Sequence, residues 1–105
     1  MKSCNELLNV LSRHIGKGNG VTASELAALL DITPRQVRSL VTELRMDGKA
    51  VCGKPETGYF IAANSEELEE TCQFLRSRSL HALTLEARLR RVPLPDLMGQ
   101  IHLET

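Results

Sequence analysis

The chain has 105 residues, enough for one domain with its own core and an appendage but short of two ordinary domains. Thirteen basic and thirteen acidic residues give a formal net charge of zero, which excludes a uniformly basic nucleic-acid coat. Any attraction to phosphate has to come from a local surface, because it acts within a Debye length of about 8 Å at physiological salt. Aromatic residues are 3% of the chain, too few for a single-strand platform built on base stacking.

The first helix is expected from Ser3 to Ile15, with Cys4, Leu7, Leu8, Leu11 and Ile15 on one side and Lys2, Asn9 and Arg13 towards solvent. Gly16-Lys17-Gly18-Asn19-Gly20 ends it. Walker spacing is absent there and no strand precedes it, so this run reads as a flexible connector rather than a phosphate cradle. Val21 is expected to make a minimal strand. Thr22-Ala23-Ser24-Glu25 is a capping box, in which the Thr hydroxyl accepts from the Glu25 amide and the carboxylate accepts from the Thr22 amide. In the helix it opens, Leu26, Leu29 and Leu30 recur as one buried stripe. Asp31-Ile32 interrupts, and Thr33-Pro34 restarts a helix with an N-cap hydroxyl and a proline at N1. That helix buries Val37, Leu40, Val41 and Leu44, an i, i+3, i+4, i+7 set. Arg35, Ser39, Thr42 and Met46 then face outward, with Gln36 and Arg38 on the flanks. Asp47-Gly48 supplies a helix stop. Lys49 to Cys52, Gly53 to Gly58 and Tyr59 to Ala62 read as strand, loop and strand.

Ala27, Asp31, Ile32, Val37 and Leu40 follow the spacing by which helix-turn-helix proteins pack their two helices. Tyr59, just after Gly58 at the return strand, is similar to the aromatic residue of biotin-repressor-like wings. Over about residues 3 to 63 the chain therefore resembles the winged helix-turn-helix DNA-binding proteins. Asp31 departs from the pattern, standing where glycine is most usual, although Asp tolerates left-handed backbone angles better than most residues. The resemblance implies that the helix beginning at Pro34 enters a major groove while the one before it braces it. Arg35, Gln36, Arg38 and Ser39 are the expected base contacts, with Thr42 beside them. A bidentate arginine–guanine or glutamine–adenine pair discriminates by about 1–3 kcal/mol. Lys49 and Lys54 are expected to touch phosphates from the hairpin.

Asn64-Ser65-Glu66-Glu67 is a further capping signature, and the helical pattern persists to about Arg91. A continuous helix would be roughly 40 Å long at 1.5 Å per residue, while a bend near Ser77 to Ser79 would make a helical hairpin. Leu68, Cys72, Leu75, Ser79, Ala82, Glu86 and Leu89 follow 4-3 spacing, and Leu80, Leu83 and Ala87 form an offset stripe. Dimerisation is expected through Leu68, Cys72, Leu75, Leu83 and Leu89. Acidic Glu66 to Glu70 at the start and basic Arg88, Arg90 and Arg91 at the end suit the helix dipole, which is preferred to a second nucleic-acid contact. Pro93 and Pro95 stop the helix. Leu94, Leu97, Met98, Ile101 and Leu103 make the tail apolar enough to dock on its own long helix, a second copy or another protein.

Cys4, Cys52 and Cys72 contain no C-x-x-C pair, and His14, His81 and His102 lack ligand-spaced neighbours, so no disulfide framework, metal or other cofactor is expected. No nucleophile motif organises the serines, and the chain does not read as an enzyme. It carries no apolar run of signal-peptide or membrane-spanning length, which places it by default in a reducing cytoplasm. The expected fold is mainly α with a small β-hairpin: a winged helix-turn-helix over residues 1–63 and a C-terminal helical dimerisation segment over 64–105. The expected function is sequence-specific double-stranded DNA binding, as a dimeric transcriptional regulator whose compact size and appended helix resemble a prophage or bacterial accessory regulator. The alternatives are a winged-helix protein-interaction adaptor and a replication or recombination accessory factor of a mobile element.

Overall fold

Side-chain caps set where the helices begin. In the computed structural model, which describes residues 3–104, Ser3 caps α1 (Cys4–Leu11) by accepting from the Glu6 amide. Thr22 and Glu25 close the expected capping box on α2 (Ala23–Leu30), at 3.1 Å in each direction. Thr33 opens α3 (Pro34–Met46) with a second complete box, in which Gln36 supplies the returning side chain. Thr22→Ala is expected to lower stability by about 1 kcal/mol in urea denaturation, and Thr22→Ser by much less, because a serine hydroxyl can make the same bond. Lys2 and the side chains of His102 and Leu103 lie outside the described residues.

Asp31 terminates α2 in the left-handed region, at φ 56° and ψ 49°, while the Ile32 amide donates back to the Ala27 carbonyl. The departure from glycine is thus accommodated at the position that needs it. After α3, Gly48 at φ 81° and the Lys49 amide bonded to the Leu44 carbonyl turn the chain into β1 (Val51–Lys54). This strand pairs antiparallel with β2 (Gly58–Ile61), with Val51 opposite Ile61 and Lys54 opposite Gly58. Val21 adds the expected minimal third strand, exchanging both backbone bonds with Tyr59 at 2.8 and 2.7 Å. Gly58, at φ 72°, is pressed so closely against Val21 that a Cβ there would lie 2.8 Å from the Val21 carbonyl.

Leu7 and Leu11 of α1, Leu26, Ala27 and Leu30 of α2, and Val37, Leu40, Val41 and Leu44 of α3 meet with Val21 and Val51 in one core. Two expected core positions are corrected. Leu29 is 65% exposed, because Ala27 rather than Leu29 flanks Leu26 and Leu30 on the inward side of α2. Ile15 is half exposed and α1 stops at Leu11. The backbone there is recruited by β2 instead, with the Ile61 amide bonded to the His14 carbonyl and the Gly16 amide to the Ile61 carbonyl, which a helix cannot allow. The glycine run is not a loose connector either. It forms a short 3₁₀ turn, Lys17–Asn19, held by Asn19 Nδ2 on the Ile15 carbonyl at 2.7 Å.

The chain divides into two compact units, Met1–Thr71 and Cys72–Thr105. α4 (Ser65–Arg90) is one unbroken helix, without the bend weighed at Ser77 to Ser79. Its first turns belong to the first unit, for a reason visible in the bonds: Thr71 Oγ1 accepts from the Gly53 amide, and Glu67 accepts from the Ala63 and Lys17 amides. In the second unit Arg91, at φ 57°, ends α4 while the Val92 amide bonds the Ala87 carbonyl. The apolar tail is then helical, as α5 (Leu94–Glu104). Ala87 and Leu97 are buried, whereas Met98 is exposed. The fold is mainly helical with a small two-stranded antiparallel sheet.

Candidate nucleic-acid interface

The buried stripe of α3 fixes which side chains are left outside. Arg35, Gln36, Arg38, Ser39 and Thr42 are all exposed, on a helix packed against α1 and α2 through its apolar side. Among the described residues neither the Arg35 nor the Arg38 guanidinium has a hydrogen-bond or ion-pair partner. Two of the neighbouring groups are partly used. Gln36 Oε1 accepts from the Thr33 amide at 2.8 Å, so a glutamine that keeps its cap offers its NH₂ more freely than its oxygen, one lone pair of which is already used. Thr42 Oγ1 donates to the Arg38 carbonyl at 3.0 Å.

The two lysines of the hairpin region differ. Lys49 is exposed, with its Nζ 3.9 Å from Asp47, a contact too long and too wet to neutralise it. Lys54 is only 25% exposed, and its Nζ lies 2.8 Å from Glu70 Oε1, the same oxygen that Lys17 reaches at 2.8 Å. Lys54 is therefore spent on holding the hairpin to α4 and is not offered to a phosphate as the sequence reading expected. No local signal could have revealed this, since both partners of Glu70 are distant in sequence.

Lys17 first and Lys54 second hold the Glu70 carboxyl far below its ordinary 4.5, at about 2. Lys17 is correspondingly raised, chiefly by Glu70. A carboxyl with a depressed folded-state pKa contributes stability that is complete above its unfolded value and is lost as pH falls through its folded one. The Glu70 contribution is thus present above pH 4.5 and disappears towards pH 2. Wild-type minus Glu70→Gln stability, measured by urea denaturation at a series of pH values, is expected to shrink over that interval and to be flat at neutral pH.

Arg45 is a structural residue that the sequence reading passed over. Its Nε donates to the Val51 carbonyl at 2.8 Å, and the guanidinium carbon stands 5.9 Å from the centre of the Tyr59 ring, so it ties the last turn of α3 to the sheet. The signal was the pairing of an arginine in that turn with the chain's one tyrosine. Cys4 plays a similar part for α1, its thiol donating to Glu43 Oε2 at 2.9 Å. That bond and burial raise the thiol pKa, so Cys4 stays protonated and is not an activated nucleophile. His14 Nδ1 sits 2.8 Å from the Asn19 carbonyl.

Of the side chains expected at a dimer contact, Leu68, Cys72, Leu75 and Leu89 are open to solvent, Leu89 to 86%, and Leu83 is half-buried. Among the described residues no helix is long and apolar enough to cross a membrane, and no three His, Cys, Asp or Glu side chains cluster as metal ligands would. Comparison with family models, with curated proteins and with solved structures returns no match for this chain.

Proposed function

We propose that residues 3–63 form a winged helix-turn-helix that reads double-stranded DNA, and that the protein is a cytoplasmic, sequence-specific transcriptional regulator acting as a dimer. In this reading α2 braces α3, α3 lies in the major groove, and β1 and β2 are the wing. The observation that carries it is the pair Arg35 and Arg38, both exposed and unpartnered among the described residues, on the first turns of a helix capped at one end and tied to the sheet at the other. Unpaired guanidinium groups on a braced helix meet the geometric needs of base readout, since recognition helices present their N-terminal residues to bases. Guanine is the favoured base, because its O6 and N7 both accept and suit arginine and the free NH₂ of Gln36 alike. Lys49 supplies a phosphate contact that positions without specifying.

A protein-interaction adaptor is the second reading, favoured by the balanced net charge and by the exposed Leu29 on the bracing helix. Selection from a random duplex library separates the two. The DNA-reading protein enriches a guanine-containing consensus and binds it about a thousandfold or more tighter than a scrambled duplex, with affinity falling as salt rises. Absence of enrichment, with only uniform weak binding at low salt, would leave the adaptor.

A further inference from the structure

The open stripe of α4 carries information about its partner. Leu68, Cys72, Leu75 and Leu89 are exposed along a single unbroken helix, which a chain in water covers if it can. The same helix is electrically lopsided, with Glu66, Glu67 and Glu69 in its first turns and Arg88 and Arg90 in its last, followed by Arg91. We propose that α4 covers this stripe with α4 of a second copy of the chain, running antiparallel. The proposal rests on the dimeric part of the function proposed above and assigns that dimer its geometry.

The register follows from the spacing. Setting Leu68 opposite Leu89 of the other copy brings Leu75 opposite Ala82 and Cys72 opposite Leu85, an exposed leucine beside the stripe, while Ser79 meets Arg78 near the two-fold axis. It also sets Glu66 opposite Arg91 and Glu69 opposite Arg88. Both sets occur twice, once on each side of the two-fold axis, as an isologous contact requires. A parallel pair keeps apolar residues face to face but reverses the charge pattern. It puts the acidic turns of the two copies side by side, does the same with the arginine ends, and stacks Glu86 on Glu86 within the stripe. Like charges set face to face oppose association, so the charge pattern selects the antiparallel sense.

Oxidative cross-linking of the full-length chain reads the orientation directly. In a Cys4→Ser, Cys72→Ser background, Leu68→Cys and Leu89→Cys in the same chain are expected to give a disulfide-linked dimer, while either substitution alone gives none. Wild type is expected not to cross-link through Cys72, whose two copies would be about 20 Å apart along the pair. Cross-linking through Cys72 in a Cys4→Ser chain, or of the single variants, would establish the parallel sense and overturn the proposal. A dimer in sedimentation that no cysteine pair traps would overturn it as well. Leu89 is so exposed that its replacement should not disturb the fold, and charge reversal gives an independent check. Glu69→Arg and Arg88→Glu are each expected to weaken dimerisation about tenfold, and the two together to restore it. A wild-type monomer at high micromolar concentration would refute the pairing, while titration with a selected duplex would still report whether the first unit reads DNA.

Discussion

Arg35→Ala and Arg38→Ala are each expected to weaken binding to the selected duplex by about 10- to 100-fold, the equivalent of losing one bidentate pair to guanine. The loss should fall on discrimination: the variants bind scrambled DNA nearly as well as wild type does, whereas Lys49→Ala weakens all duplexes alike and lowers the salt slope by about one. Thermal stability is expected to stay within about 2 °C, because both arginines are exposed and have no partner among the described residues to lose. Gln36 needs a more careful substitution. Alanine removes the returning arm of the α3 capping box and so mixes stability with binding. Glutamate keeps an oxygen for the Thr33 amide but replaces the NH₂ with negative charge, so Gln36→Glu should fold normally and bind poorly. Anisotropy titrations beside urea denaturation of the four variants check all of this.

Gly58→Ala is expected to destabilise the first unit strongly, costing more than about 2 kcal/mol. Two separate penalties coincide there. The residue sits at φ 72°, which alanine adopts only at a cost of roughly 1 kcal/mol, and the added Cβ would press on the Val21 nitrogen, carbonyl carbon and oxygen at 2.8–2.9 Å. Those atoms are backbone, and they belong to the residue that exchanges both of its hydrogen bonds with Tyr59. They cannot retreat without opening the third strand. Gly48→Ala separates the terms, since Gly48 has φ 81° but open space around its missing Cβ, and it should cost only the conformational part. Equal effects of the two substitutions would mean that the strand contact at Val21 contributes nothing.

Features written in adjacent residues are legible in the sequence. Thr22 with Glu25, Thr33 with Pro34 and the left-handed Asp31 act within a turn of themselves, and the pattern of Val37, Leu40, Val41 and Leu44 fixes the outward face of α3 by elimination. What escaped depends on residues that meet only after folding. Ile15 reads as the end of a helix until Ile61 arrives to pair beside it, and Leu29 reads as core until Ala27 is seen to take the inward place. Lys54 looks like a phosphate contact because nothing nearby announces Glu70. Gln36 is a different kind of miss. Its capping role was written in the Thr-x-x-Gln spacing, but a polar side chain at the start of a reading helix invites a functional assignment, and the backbone amide of Thr33 competes for the same oxygen.

The outward face of α3 bears the whole functional reading, and amide chemical-shift mapping tests it most directly. On titration of the labelled full-length protein with the selected duplex, the largest shifts are expected at Arg35, Arg38, Ser39 and Thr42, accompanied by Lys49, with the amides of α4 little changed. Shifts gathered on Leu29 and the exposed stripe of α4, with α3 silent, would contradict it.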